Sequence, residues 1–180
     1  MQTLGPKVIG LKRHTDSLVP HNPEWLILGS TLCTELKQII KHNCVEVKHV
    51  GSTSVPGLHA KPIIDIAIGY RVESDVDFIV HNLPKNKYIY RGLGKGSNGH
   101  LFVVESKPNI RIGHVHCIVH ESNHWNDYIL FQKALLEEPK LLKEYQALKI
   151  QLAEENAQNR KKYTSSKNEF ITGVIKQQQA

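Results

Sequence analysis

With 180 residues and 20.4 kDa, the chain suits one domain with a sizeable core, and its 40% hydrophobic and 22% charged residues are those of a globular protein, excluding a largely disordered chain. A formal charge of +6 favours anionic partners, from nucleotides to nucleic acid, although an excess of this size also occurs on proteins that bind neither. The cysteines Cys33, Cys44 and Cys117 are far apart, odd in number and without metal-finger spacing, which does not suit a disulfide framework and makes a reducing cytoplasm the expected location. Neither a charged-then-apolar signal pattern nor an apolar run long enough to cross a bilayer is expected.

Residues 1–17 read as an N-terminal extension and 18–175 as the domain. An extended entry through Leu18 and Val19 meets Pro20-His-Asn-Pro-Glu24, where Asn22 can cap a helix, Pro23 fits its first position and Glu24 favours the dipole. Trp25, Leu28, Leu32, Leu36 and Ile39 recur at helical spacing, predicting a face packed on a sheet. Alternation over 45–50 predicts a strand running into Gly51, and the denser apolar run 63–68 a central strand covered on both sides. A short helix over 74–82 and a strand over 87–92 follow. The glycine-rich stretch 92–99 lacks Walker spacing, and Asn98-Gly99 reads better as a hairpin turn. Strands over 101–104 and 110–119 complete the sheet. Helices are expected over 123–138, capped by Ser122 or Asn123, over 139–156, started by Pro139, and over 164–177, with the last five residues frayed.

The run His49-Val-Gly-Ser-Thr-Ser-Val-Pro-Gly-Leu-His-Ala-Lys-Pro-Ile-Ile-Asp65 carries the clearest chemistry. A Gly-Ser-Thr turn leaves one apolar strand, and a lone carboxylate sits inside the next. Gly51 permits close backbone approach, and Ser52, Thr53 and the local amides are candidates to cradle phosphate, or else cap a turn that Pro56 and Gly57 shape. Asp65, in an apolar run, needs a partner, a metal or the amides of the loop.

Together with Arg111, His114-Val-His116 and Tyr163-Thr-Ser-Ser-Lys-Asn-Glu-Phe-Ile171, this run resembles the GrpB family, in order from about Leu18 to Ile171. The resemblance implies an α/β fold of the nucleotidyltransferase type, a mixed sheet with packed helices and a helical C-terminal segment, without an established reaction. Members of that superfamily place Gly-Ser after one strand and two alternating acids on the next. Gly51-Ser52 and Asp65 match, but the residue two beyond Asp65 is Ala67, so the acidic set for two magnesium ions is incomplete.

Where a third acid is expected, His114 and His116 alternate around Val115 and project to one face of a strand. With Asp65, and with His49 as a further candidate, they form a metal-binding set suited to manganese or zinc more than magnesium, or else they are hydrogen-bonded sheet histidines. Lys61 and Arg111 are candidates to hold phosphate and stabilise its charge, or to pair with acids. Trp25 and Trp125 are expected in the core, Cys117 on the face away from the histidines, and Lys140, Lys143, Lys149, Arg160, Lys161 and Lys162 on a solvated helical surface. The leading expectation is a metal-assisted transferase of nucleotidyl or other phosphoryl-containing groups. Its rivals are a non-catalytic nucleotide- or coenzyme-binding module and a metal-assisted phosphoester hydrolase. The implied partner is a nucleotide or another phosphate-containing small molecule; no aromatic interleaving of the basic residues favours nucleic acid.

Overall fold

The computed structural model describes residues 9–12, 17–41, 43–94, 99–155 and 160–179. Helix α1 (Glu24–Ile40) begins where the sequence predicts, because the Asn22 side-chain oxygen accepts the Glu24 backbone N–H at 2.9 Å. Its buried stripe is Trp25, Gly29, Leu32, Leu36 and Ile40, so Gly29 and Ile40 lie deeper than the expected Leu28 and Ile39. The stripe covers one face of a mixed six-stranded sheet.

The strands are β1 (Leu11–Lys12), β2 (Glu46–Val50), β3 (Ile64–Tyr70), β4 (Tyr88–Leu93), β5 (His100–Lys107) and β6 (Ile110–Val119). Their order is β2-β3-β6-β5-β4, with β1 paired antiparallel to the start of β6. Strand β3 runs antiparallel to β2 and parallel to β6, and the remaining pairs are antiparallel. The interior place of β3 explains its nearly unbroken apolar run, since both faces are covered. Ile64, Ile66 and Ile68, with Val115 and Cys117 of β6, meet α1 and α2 (Glu73–Asn82). Cys117 therefore faces away from the histidines, as alternation predicts.

The opposite face carries Val50, Ala67 and Ile118 against Trp125 of α3 (Asn123–Glu137), whose N-cap Ser122 accepts the Trp125 N–H at 3.3 Å. Helices α4 (Pro139–Glu155) and α5 (Arg160–Gln178) pack with α3, joined by a cluster of Val55, Leu58, Leu135 and Tyr145. The last helix starts earlier than predicted and continues to Gln178, so the expected fraying is absent up to that residue. Asn98 lies outside the described residues, although Gly94 N–H to Gly99 O at 2.8 Å closes the same connection. No helix among the described residues is long and apolar enough to cross a membrane.

Candidate functional site

The site starts where β2 ends. Gly51 has φ +73°, and a Cβ at this position would stand 2.9 Å from Oδ2 of Asp65, so both the backbone and the neighbouring carboxylate require glycine. A single 3-10 turn, Ser52–Ser54, follows. The buried Thr53 hydroxyl donates to the Ile63 carbonyl at 3.3 Å and lies 3.0 Å from Nε2 of His49. Ser54 donates to the Gly51 carbonyl at 2.6 Å and accepts from Gln132 of α3 at 2.7 Å, while Gln132 also donates to the His49 carbonyl at 3.1 Å. The hydroxyls of Thr53 and Ser54 thus hold the turn together, and that of Ser52 meets Lys149 in the cleft beside it, which Thr53 also lines.

Asp65 lies beside this turn on β3, directly opposite His114 in the parallel pairing with β6, while Ala67 is opposite His116. Nδ1 of His114 is 3.2 Å and Nε2 of His116 3.6 Å from Oδ1 of Asp65. One ligand atom from each of the three residues falls within 4.8 Å of the other two, close enough to share one metal ion. Burial pushes the Asp65 carboxyl up, but the two imidazoles outweigh it and hold the carboxyl well below its usual range. Ala67 is fully buried against Val50, Ile118 and Trp125, so the place of a second acid is filled by apolar packing under α3.

A cleft of about 680 Å³ opens from this cluster between the sheet and α3, α4 and α5. Gly51, Ser52, Asp65, His114 and His116 line one side, with His124, Asp127 and Tyr128 of α3 beside them. Lys61, Lys149 and Lys167 supply its cationic lining. Lys61 sits 5.2 Å from the ring centre of Tyr163. Lys149 is 2% exposed, with Nζ 3.1 Å from the Ser52 hydroxyl, bonded to the His59 carbonyl, and 4.8 Å from the ring centre of Tyr145. Burial, then the neighbouring Lys167, push its amine down to about 7. Burial also lowers Lys167, with Asp65 opposing and Lys61 adding to that effect.

Two expected site residues stand elsewhere. His49 projects to the α1 side of the sheet, where its ring occupies the space a Cβ on Gly29 would need, with Nδ1 2.1 Å from that position. Burial pushes the imidazole down to about 4, opposed by Asp65 and reinforced by His21, so it is neutral and supports the turn through Thr53. It does not join the Asp65 cluster. Arg111 pairs with Leu11 and Glu105, upstream of a bulge in the β5–β6 ladder, and is absent from the cleft lining; its Nε is buried without a hydrogen-bond partner among the described residues.

The expectation of a solvated Lys149 is also overturned. Tyr145, Lys149 and Leu152 are the buried residues of α4, so this lysine takes a place on the apolar stripe. Its spacing from Tyr145 and Leu152 was the available signal. Lys167 lies inside the motif 163–171, where its charge was legible but its inward direction was not.

The model of the family described as GrpB protein matches residues 16–177. The chain is 28% identical over 171 residues to the glutamate-rich protein GrpB of Alkalihalophilus pseudofirmus, covering 93% of this chain and 98% of that one. Its fold is similar to the crystal structure of the conserved protein GrpB from Enterococcus faecalis, with a TM-score of 0.78 and 29% identity over 91% of this chain and 100% of the other. It is also similar to Cid1 poly(U) polymerase, with a TM-score of 0.55 and 12% identity over 76% of this chain and 43% of that one, a likeness in fold alone. The chain belongs to the GrpB protein family.

Proposed function

We propose that the protein is a metal-assisted transferase of nucleotidyl or other phosphoryl-containing groups. The observation that carries this reading is the meeting of Asp65, His114 and His116 with the Gly51-Ser52 turn at one end of a lysine-lined cleft. Cid1 is a poly(U) polymerase solved with magnesium and 3'-dATP, and its shared fold supports the reaction class. The residues do not fit its superfamily's two-magnesium arrangement, because Ala67 supplies no ligand and its surroundings are apolar. One carboxylate and two imidazoles do fit a single manganese or zinc ion. When bound, such an ion polarises a phosphoryl oxygen.

The chain's own contribution is positioning and charge. Gly51 leaves room for the Asp65 carboxylate, the Asp65–imidazole contacts orient the ligand set, and Lys61 and Lys167 oppose negative charge on a phosphate. The buried Ala67 favours a second reading, a nucleotide-binding module without turnover. Metal analysis after incubation with manganese or zinc should find about one ion per chain in the wild type and none in Asp65→Asn or His116→Ala. Retention of the ion by both variants would remove the basis of the enzyme reading. If metal binds but chromatography of a nucleotide panel detects no product, the binding-module reading takes its place.

A further inference from the structure

We propose that Lys149 is a proton-coupled anion receptor: a dianionic phosphate group docking beside Ser52 draws a proton onto the Lys149 amine. This rests on the phosphate-handling reading of the cleft and is independent of the metal.

The geometry leaves a place for such a ligand. A lysine ammonium has three donors; the Ser52 hydroxyl and the His59 carbonyl take two, which leaves one for a group in the cleft that Lys149 lines. Among the described residues, no carboxylate lies in ion-pair range of Lys149, although its side chain is nearly sealed from water. A buried cation without a counterion is costly. The face of Tyr145, on the same helix, and the two oxygen acceptors favour the charged form. Burial and Lys167 of α5 oppose it and prevail, bringing the amine down to about 7, so its charged and neutral forms are about equally populated near neutral pH.

The surrounding charges do not supply compensation from within. Asp65 is engaged by His114 and His116, and Asp127 acts on His124 along α3. Lys61 and Lys167 add positive charge to the same cleft, and Tyr145 has its hydroxyl pushed up by burial, so it brings no anion at neutral pH. An arriving dianion therefore supplies the missing counter-charge. By linkage, an anion that prefers protonated Lys149 raises that group's affinity for its proton by the same factor. Binding then weakens as pH rises, which distinguishes this receptor from a permanently charged arginine.

Sulfate is a suitable probe, because its charge is constant across the neutral range. Protein labelled with ¹³C at lysine Cε, kept in a chelator to exclude metal, is titrated by NMR in chloride and in sulfate of equal ionic strength. The Lys149 signal is identified by its loss in Lys149→Arg. In chloride its midpoint should lie near 7, and in sulfate about one pH unit or more higher, equivalent to about tenfold preference of sulfate for the protonated form. Wild-type sulfate affinity should fall about sixfold from about pH 6.5 to pH 8.5, while Lys149→Arg, checked for folding by circular dichroism, holds its affinity constant. A Lys149 midpoint above about 9.5 in chloride, equal midpoints in the two salts, or a flat wild-type affinity would each overturn the proposal. Loss of manganese binding elsewhere in the cleft cannot produce any of these results, since no metal is present.

Discussion

Replacing Lys149 by methionine should stabilise the protein at neutral pH, although it removes two hydrogen bonds. An unfolded lysine titrates at 10.5, whereas Lys149 in the fold titrates near 7. Between those values the unfolded chain holds a proton that the folded chain lacks, so stability attributable to this group rises by about 1.4 kcal/mol per pH unit. Below pH 7 both states are protonated and the whole penalty, about 4–5 kcal/mol, is present; it fades as pH approaches 10.5. Methionine keeps the apolar stem against Tyr145 and carries no charge, but it leaves the His59 carbonyl short of a partner, at a cost of about 1–3 kcal/mol, while Ser52 keeps its hydrogen bond to Tyr145.

The difference is a stabilisation of about 1–4 kcal/mol at pH 6.5, or about 2–16 °C in Tm for a domain of this size. Because the lysine penalty fades with pH and the cost of the orphaned acceptor does not, the wild-type and variant curves should cross at about pH 9. Urea unfolding of both proteins at a series of pH values measures this directly. A variant less stable than wild type at pH 6.5, or a difference that does not change with pH, would refute the reasoning from a buried amine without a counterion.

Gly51→Ala should lower stability by about 1–2 kcal/mol through its left-handed backbone and, by crowding Oδ2 of Asp65 at 2.9 Å, weaken manganese or zinc binding about tenfold or more; thermal unfolding and a metal titration check the two effects. Ala67→Asp restores an acid at the superfamily's second position but places it under Trp125, so urea unfolding should show a loss of about 3 kcal/mol or more, and a magnesium titration no new binding. His49→Ala should cost about 1–3 kcal/mol by removing one of the two partners of the buried Thr53 hydroxyl and the ring packed against Gly29, while metal affinity stays within about twofold of wild type; a larger loss of affinity would return His49 to the ligand set.

The residues that fold the chain locally could be read in one dimension. Asn22 caps α1, Ser122 caps α3, and the dense run around Ile66 becomes an interior strand, because caps and hydrophobic periodicity act over a few neighbouring residues. The pairing of His114 with His116 was equally legible, since a strand's alternation places both on one face, and the family motif joined them to Asp65. Periodicity erred where faces had to be told apart by what covers them. His49 sits on the α1 face because Gly29 leaves room for its ring, and no spacing within 45–50 records a glycine from the preceding helix.

Arg111 shows the same limit at a strand's start, where a bulge and the short partner β1 set its place outside the cleft. Lys149 shows it most clearly: by composition it belongs with the surface lysines, and only the packing of α4 against Ser52 and Tyr145 encloses it. By itself, then, the sequence determined the elements from α1 onward, the family and the Asp65–His114–His116 set, all consequences of short-range pattern and one long motif, whereas β1 falls within the residues read as an extension. The tertiary structure alone decided which charges face the cleft and which are desolvated, because direction and burial depend on helices and strands brought together from distant parts of the chain.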